Sequence, residues 1–375
     1  MCKHTFQLAS VAFAAATAAA SGFGQDMSTE PSPGSRFAGW SPYLDIQLQA
    51  RYDGIAISEF NQDWRRDFSP RAGRNVLFQR NHANAGLQKD RWFFGYDIRQ
   101  DALLVTDDQT LELVRRIKQH DRPDIPVSYD LNAHMTSWRA EGVQFGRWFS
   151  DSPNQPTFLF SIGLYGKPAY RNNQITGSLS ATPPDQLTAD LQQRDVNTGA
   201  ALPFQRGGAS GSGITFSAGL RLPVTQSLTA SLIVEDLFSR ISLSHVPVTQ
   251  QRVNTAAAHY DSQRFVSFTP LLSGTKTQVS QMFSLPAYGT ADLVYTDGMW
   301  RTRGAVVRFA GVTMPEVSVT RQLPYGEFST SYEFRYRVVG LGYRYKVFNI
   351  ALASDSFSVR SARSAHFGMG YQYQF

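Results

Sequence analysis

The chain has 375 residues, with 36 basic side chains against 30 acidic ones and a single cysteine. A net charge of +6 on so long a chain is too small to argue for nucleic-acid binding, and one cysteine leaves no pair for a disulfide or a thiolate metal site. The mean hydropathy of -0.29 is typical of a soluble protein, yet 13% of the residues are aromatic. A membrane barrel has the same average, because each of its strands has only one apolar face.

The first 24 residues have the layout of a secretory signal peptide. Lys3 supplies a positive start, an apolar stretch of modest length follows, and Ala, Ser and Gly form a cleavage region. The alternative, a membrane anchor, is less favoured because a spanning helix needs about 20 apolar residues. We therefore predict a signal peptide over 1–24 that takes Cys2 with it, an extended periplasmic leader over 25–42, and one domain over 43–375.

The remainder of the chain is dominated by strands that alternate apolar and polar residues, the pattern of a two-faced strand. In Tyr43–Asp53, Leu44, Ile46 and Leu48 fall on one face and acids, glutamines and an arginine on the other. Soluble sandwiches alternate too, so alternation alone does not decide the class. The other alternating segments are Arg91–Leu104, Tyr129–Met135, Phe158–Leu164, Ile214–Leu222, Leu228–Val234 and a long strand around Tyr332–Val347, with a bulge at Val339–Gly340.

The connections between these strands alternate in length, as short periplasmic turns and long outer loops do in membrane barrels. The short ones are Gln88–Asp90, Ser150–Gln155, Val224–Ser227 and Lys346–Phe348, and the long ones are Gly54–Gly73, Val105–Pro126, Asn172–Gly213 and Ser242–Ser262. We expect the loop Asn172–Gly213, rich in Gly, Ser, Thr and Gln, to be flexible. The one clear helix signal is Asp107–His120, with acids at its start and bases near its end. It packs on the rim or folds into the lumen, and we favour the rim.

The chain stops on HFGMGYQYQF, in which Tyr371, Tyr373 and Phe375 share one parity. Together with the signal peptide and the alternating strands, this ending resembles the outer-membrane β-barrels of Gram-negative bacteria. The resemblance implies a closing strand that the barrel assembly machinery reads, an all-β transmembrane antiparallel up-and-down barrel, and residence in the outer membrane. Periplasmic termini require an even strand number, and our count is about 14, with 12 and 16 open because Val143–Phe149 and Gln278–Tyr295 are ambiguous.

Charged residues on the polar faces are the candidate functional residues. They pair across strands as a hydrated wall, which is the interpretation we favour, or they form a selectivity lining. Because one acid, Glu333, cannot neutralise both Arg335 and Arg337, the lining interpretation favours anions, and the basic excess also fits contact with lipopolysaccharide phosphates. The lumen-lining candidates are Asp45, Arg51, Asp53, Asp97, Arg99, Asp101, Glu333, Arg335, Arg337, Arg344 and Lys346.

Three functions remain open. A porin-like passive channel for small solutes, anions among them, leads; a structural, surface-interaction or export-assisting barrel without channel activity is second, and an outer-membrane hydrolase is third. The hydrolase ranks last because His134 and Thr136 share a face without a serine motif beside them, and GASG at 208–211 is not a nucleophile elbow. We predict no catalytic residue, no metal and no cofactor. The expected partners are outer-membrane lipid and lipopolysaccharide, the assembly machinery and an unidentified small solute, with no nucleic acid.

Overall fold

The computed structural model describes residues 39–373, apart from 66, 122, 151–154, 184–185, 201, 203–207, 256–257, 261–265 and 269–271. The predicted signal peptide, most of the predicted leader and Phe375 therefore lie outside the described residues. Within the described part, no helix is both long and apolar enough to cross a lipid bilayer.

The described chain is almost entirely strand. The first nine strands are β1 (Ser41–Tyr52), β2 (Arg74–Lys89), β3 (Trp92–Asp107), β4 (Val127–Phe149), β5 (Thr157–Thr182), β6 (Gln186–Asn197), β7 (Ser210–Pro223), β8 (Leu228–Asn254) and β9 (Ala258–Tyr260). The second nine are β10 (Val266–Phe268), β11 (Leu272–Phe283), β12 (Tyr288–Asp297), β13 (Trp300–Phe309), β14 (Val312–Leu323), β15 (Gly326–Glu333), β16 (Val338–Tyr345), β17 (Phe348–Ser354) and β18 (Ser364–Gln372). One helix, α1 (Asp108–Gln119), follows β3, and a single 3-10 turn (Ile57–Glu59) follows β1.

Fourteen of these strands close into an antiparallel barrel. The ring runs β1 to β5, then β7, β8 and β12 to β18, and the last strand pairs with the first over Tyr43–Arg51 and Ser364–Gln372. Closure leaves no edge within the ring, which is the condition for a sheet that spans a membrane. The predicted fold class and the count of 14 are confirmed.

In the alternating segments predicted from the sequence, the apolar parity faces outward. On β5, Phe158, Phe160, Ile162 and Leu164 are exposed, while Leu159 between them is buried on the inner face. Tyr371 on β18 pairs with Leu44 on β1 and faces the same way. The outer surface therefore presents the apolar band that lipid requires.

The barrel wall is much taller on one side than on the other. Strands β4, β5 and β8 have 23, 26 and 27 residues, whereas β15, β16 and β17 have 8, 8 and 7. Beyond the ring, the outer halves of β5 and β8 are joined by β6, and β11 pairs with the outer half of β8. We call this outer sheet the extension. The prediction of a flexible loop over Asn172–Gly213 is therefore wrong for the described residues, because most of them continue β5 or form β6.

The predicted long strand with a bulge at Val339–Gly340 is also wrong. The chain turns over between Glu333 and Val338, so that β15 and β16 form a tight outer hairpin. Arg337 takes the left-handed conformation there, with a φ of 57°, a conformation that glycine or asparagine adopts far more often. The turn carries no glycine, proline or asparagine, which is why the pattern indicated a continuous strand.

The predicted helix forms, and it lies outside the wall. The Asp107 carboxylate caps it by accepting the Thr110 N–H at 2.6 Å. Leu111 packs with Tyr52 and Leu77 on the outward parity of β1 and β2, while Leu113 packs against Leu131 on the outer half of β4. The favoured rim position is therefore correct, on the face of the rim that is turned away from the lumen.

Candidate functional site: an occluded lumen beside a break in the wall

A layer of ion pairs crosses the middle of the lumen. Arg99 on β3 donates to both carboxylate oxygens of Asp236 on β8, at 2.9 and 2.5 Å, and to Asp101 at 3.0 Å. Arg80 on β2 reaches Glu235 on β8 at 2.8 Å. All of these side chains are largely buried. Charges buried to this degree are retained only where they are paired, so this charge layer ties one wall of the barrel to the other.

In the lumen, next to the charge layer on the side of the outer loops, aromatic side chains from opposite walls meet. Phe78 on β2 and Phe309 on β13 have ring centroids 5.1 Å apart, although their strands lie seven positions apart in either direction around the ring. Arg80 lies 3.9 Å over the ring of Tyr288 on β12. The lumen is therefore occluded by its own side chains at this level. The short-wall cluster around the two phenylalanines consists of Val76, Phe78, Val307, Phe309, Val312, Met314, Tyr336, Val338 and Ala353.

A second apolar cluster lines the lumen side of the tall wall. Its aromatic members include Trp138 and Tyr165, whose rings meet edge to face with centroids 5.7 Å apart, and Tyr170, which stacks on Phe283. Trp138 also donates its indole N–H to Asp101 at 2.9 Å, so this cluster adjoins the charge layer. The tall-wall cluster consists of Trp138, Ala140, Tyr165, Tyr170, Val196, Ile241, Leu243, Val246, Val248 and Leu285.

The wall is broken where the tall-wall cluster meets the lipid face. On β8, the register with β12 starts at Glu235 and the register with β11 ends at Ile241, so the residues 236–240 between them have no ladder partner on that side. Leu285 occupies this gap, where it is buried and its N–H donates to Ser239 Oγ at 2.7 Å. Leu237 and Phe238 are exposed on the outside. Within the described residues, the short segment 284–287 has no ladder partner, and it lies between the tall-wall cluster and the lipid face.

The other edge of β8 is irregular at the same height. The pairing with β7 shifts between Phe216 and Ala218, and Asp236 takes a left-handed φ of 53°. Its N–H donates to the side-chain hydroxyl of Ser217 on β7, at 3.1 Å. This bulge turns the Asp236 carboxylate into the lumen towards Arg99. Irregular backbone at membrane depth is tolerated only where protein or a cavity covers it, and here the buried side chain of Leu285 lies at the break.

The predicted lumen residues lie in three places: the middle of the lumen, its periplasmic end, and the turns at either end of β16. Arg51, Asp97, Arg99, Asp101 and Glu333 lie buried in the lumen, as does Asp53 just past the end of β1. Asp45 and Arg344 point inward nearer the periplasmic end, where they contact Gln47 and Glu327 respectively. Asp97 is held by His82, Asn84 and the Tyr165 hydroxyl.

Three predicted positions do not form the wall that the sequence suggested. Arg335 and Arg337 lie in the outer turn between β15 and β16, and Lys346 lies in the periplasmic turn between β16 and β17. Arg335 reaches across to Asp53 at 3.1 Å, and Arg337 is exposed. The basic residues of the predicted long strand, from Arg335 to Lys346, therefore do not share one strand face, because the β15–β16 hairpin separates them.

Four residues of the site were not predicted from the sequence: Arg80, Glu235, Asp236 and Leu285. A signal for two of them was present: Glu235 and Asp236 follow directly on the apolar strand Leu228–Val234 and precede another apolar pair. Adjacent acids in such a run are costly at membrane depth and are typical of functional positions.

His134, the histidine considered above for a hydrolase, does not form a catalytic triad. His134 Nε2 lies 3.0 Å from Asn172 Oδ1 and 3.4 Å from Thr136 Oγ1, so both partners contact the same nitrogen. A nucleophile and an orienting group must contact opposite ring nitrogens. Among the residues that the structure describes, no three His, Cys, Asp or Glu side chains are grouped to hold a metal ion.

The closed ring and its apolar band define a transmembrane β-barrel of the bacterial outer-membrane class. Comparison with protein-family models gives no match, and neither does comparison with curated proteins. Solved structures of similar fold include a deletion mutant of the monoaromatic hydrocarbon channel TodX, at 10% identity and a TM-score of 0.44 over 90% of this chain and 91% of that one. A Pseudomonas aeruginosa FadL homologue has 12% identity and a TM-score of 0.35 over 89% and 88%. The Ralstonia pickettii toluene transporter TbuX has 8% identity and a TM-score of 0.30 over 90% and 88%. These likenesses concern the fold alone.

Proposed function

We propose that this protein is an outer-membrane channel for small apolar solutes, which pass the tall-wall cluster and leave sideways through the break beside Leu285. The break is the observation that carries the proposal. Backbone N–H and C=O groups without a ladder partner cost free energy in lipid. At this break, one buried leucine, Leu285, lies between the apolar surface of the lumen and the membrane.

The occlusion of the lumen supports the same route. The straight path to the periplasm is crossed by Arg99–Asp236, Arg80–Glu235 and the Phe78–Phe309 contact. An apolar solute that entered the charge layer would have to separate buried ion pairs, which costs several kcal/mol. Passage towards Leu285 separates no ion pair: it meets the apolar side chains of the tall-wall cluster and the Ser239 hydroxyl, and it requires movement of one short segment.

The preference for anions predicted from the sequence receives no support from these contacts. Arg80, Arg99 and Arg335 each meet a carboxylate within 3.1 Å. A lining of paired charges gives a weak net potential for ions to follow. We therefore assign the solute class by the apolar clusters rather than by the excess of basic residues.

The test is entry of the apolar dye N-phenylnaphthylamine into intact Gram-negative cells that express the protein, read as the rise in dye fluorescence. Cells with the wild type should take up the dye faster than cells with an empty vector, and Leu285→Ala should be faster still because it empties the break. Leu159→Ala, a buried lumen-side leucine on β5, is the matched control and should not accelerate entry. Equal rates for vector and wild type would refute the proposal and leave a structural barrel.

A further inference from the structure

The outer loop between β17 and β18, residues 355–363, displays two apolar side chains to the outside. Phe357 is fully exposed and Val359 is more than half exposed. A fully exposed phenylalanine is unusual, since burying such a side chain is worth about 1.5–3 kcal/mol. Its exposure in an ordered loop indicates that something outside the chain covers it.

The loop is held rigidly by its own hydroxyl groups. Ser356 Oγ lies 2.8 Å from Ser361 Oγ and accepts the Ser358 N–H at 3.1 Å. Asp355 Oδ1 accepts the N–H groups of Arg363 and Ser364 at 3.0 and 2.9 Å. With its polar groups engaged internally, the loop presents Phe357 and Val359 in a fixed position. Such pre-organisation lowers the entropy cost of binding a partner.

The height of the loop places it at the level of lipid. β17 has 7 residues, which at about 3.3 Å per residue span roughly 23 Å along the strand. With a tilt of about 40°, this gives roughly 18 Å along the membrane normal, less than the apolar band of about 25 Å. The loop on this short wall therefore begins within the outer leaflet, where the exposed side chains of Phe357 and Val359 are within reach of lipid.

A cavity of about 400 Å³ adjoins the loop and has an unusual mixture of charges. It contains two guanidiniums, Arg65 and Arg360, and two carboxylates, Glu59 and Asp63. Arg65 and Asp63 form a loose exposed pair at 3.4 Å, and Glu59 Oε2 accepts the Arg65 backbone N–H at 3.1 Å. The remaining lining residues are Ser58 and Gln62.

We propose that this cavity and the β17–β18 loop bind the headgroup of a phosphorylated glycolipid of the outer leaflet, of the lipid A type. The mixed charges suit such a headgroup: guanidiniums donate to phosphate, and carboxylates accept from sugar hydroxyls. A bare phosphate would be repelled by the two acids, and an uncharged lipid would offer the two guanidiniums no anion to bind. The acyl chains of the same lipid cover Phe357 and Val359.

Native mass spectrometry of the full chain in nanodiscs tests the headgroup site. The nanodiscs contain phosphatidylethanolamine and phosphatidylglycerol, with or without lipid A. The wild type should retain lipid A in preference to phosphatidylglycerol, and the double variant Arg65→Ser/Arg360→Ser should retain about tenfold less, because two charge-assisted contacts are lost. Arg252→Ser, an exposed arginine on the extension, is the control and should retain as much as the wild type.

Equal retention by the double variant, equal retention of phosphatidylglycerol, or a dimer in place of bound lipid would each overturn the proposal. A second measurement does not depend on those variants. The predicted mature chain has no cysteine, so Phe357→Cys can carry a single polarity-sensitive fluorophore. Its emission should shift to the blue when lipid A is added, whereas a label at Lys276→Cys on β11 should not respond. A label at 357 that reports water in both membranes would contradict the assignment.

Discussion

The pairing of Arg99 with Asp236 makes the structure vulnerable to a single substitution. Asp236→Ala leaves the buried guanidinium with Asp101 as its remaining carboxylate partner in the charge layer, at 3.0 Å through Nε. Removing one partner of a buried ion pair costs about 3–5 kcal/mol, because the other charge stays desolvated. Both side chains here are almost fully buried, at 4% and 1% exposure, so we expect the full range rather than the small values of surface pairs.

The assay is urea unfolding in lipid vesicles, followed by tryptophan fluorescence. The control is Asp190→Ala, which removes a carboxylate with the same two-bond geometry to Arg252, at 3.0 and 2.8 Å, from a pair that is half exposed on the extension. It should leave the unfolding free energy unchanged within error. The double variant Arg99→Met/Asp236→Leu should recover part of the loss, since it removes both charges. A cost below about 1 kcal/mol for Asp236→Ala would refute the charge layer as a structural tie.

Three further outcomes are expected. Leu48→Arg should destabilise the barrel by about 2–4 kcal/mol in lipid and Gln47→Arg far less, because Leu48 faces lipid and Gln47 the lumen; equal unfolding free energies would mean that β1 is inside out. Hydrogen bonds from Arg115 and then Arg116 hold the pKa of Glu112 below its ordinary value of 4.5. This contribution to α1 is present above pH 4.5 and is lost as pH falls through the lowered pKa. The protection of the α1 amides against exchange, corrected for the intrinsic rate at each pH, should therefore fall at low pH, and less so in Glu112→Gln. Deleting Phe375 should lower the yield of heat-modifiable folded barrel, and an unchanged yield would contradict the predicted assembly signal.

The faces of the strands could be predicted from the sequence because one parity must meet lipid. Leu44, Ile46 and Leu48 alternate with polar residues along all of β1, so the register admits one orientation. The helix could be predicted as well, because its cap, apolar spacing and terminal charges agree with one another. The strand alternation and the helix signals are both local, and local patterns can be recognised in a single sequence.

The extension could not be recognised in the same way. β6 and the outer half of β5 carry polar residues on both faces, so neither parity nor hydropathy separates them from a loop. Their order comes from neighbouring strands and from pairs such as Arg171–Asp195, at 3.0 Å. Arg171 and Asp195 are 24 positions apart in sequence, so no local pattern displays their pairing.

The site depends on closure even more strongly. Phe78 and Phe309 are 231 positions apart in sequence and seven strands apart in the ring, and yet their rings touch. Arg99 and Asp236 likewise meet across 137 positions. Nothing in either segment specifies its partner. The Glu235–Asp236 pair marked one end of the charge layer without indicating the other.

Release of solute through the break beside Leu285 can be tested by locking that break. Ser239 and Leu285 are joined by a hydrogen bond of 2.7 Å between side chain and backbone, so the double variant Ser239→Cys/Leu285→Cys brings two thiols together in a mature chain that should hold no other cysteine. Dye entry should stop when the pair is oxidised and return when it is reduced. Dye entry at the wild-type rate through the oxidised, cross-linked protein would contradict release of solute through this break.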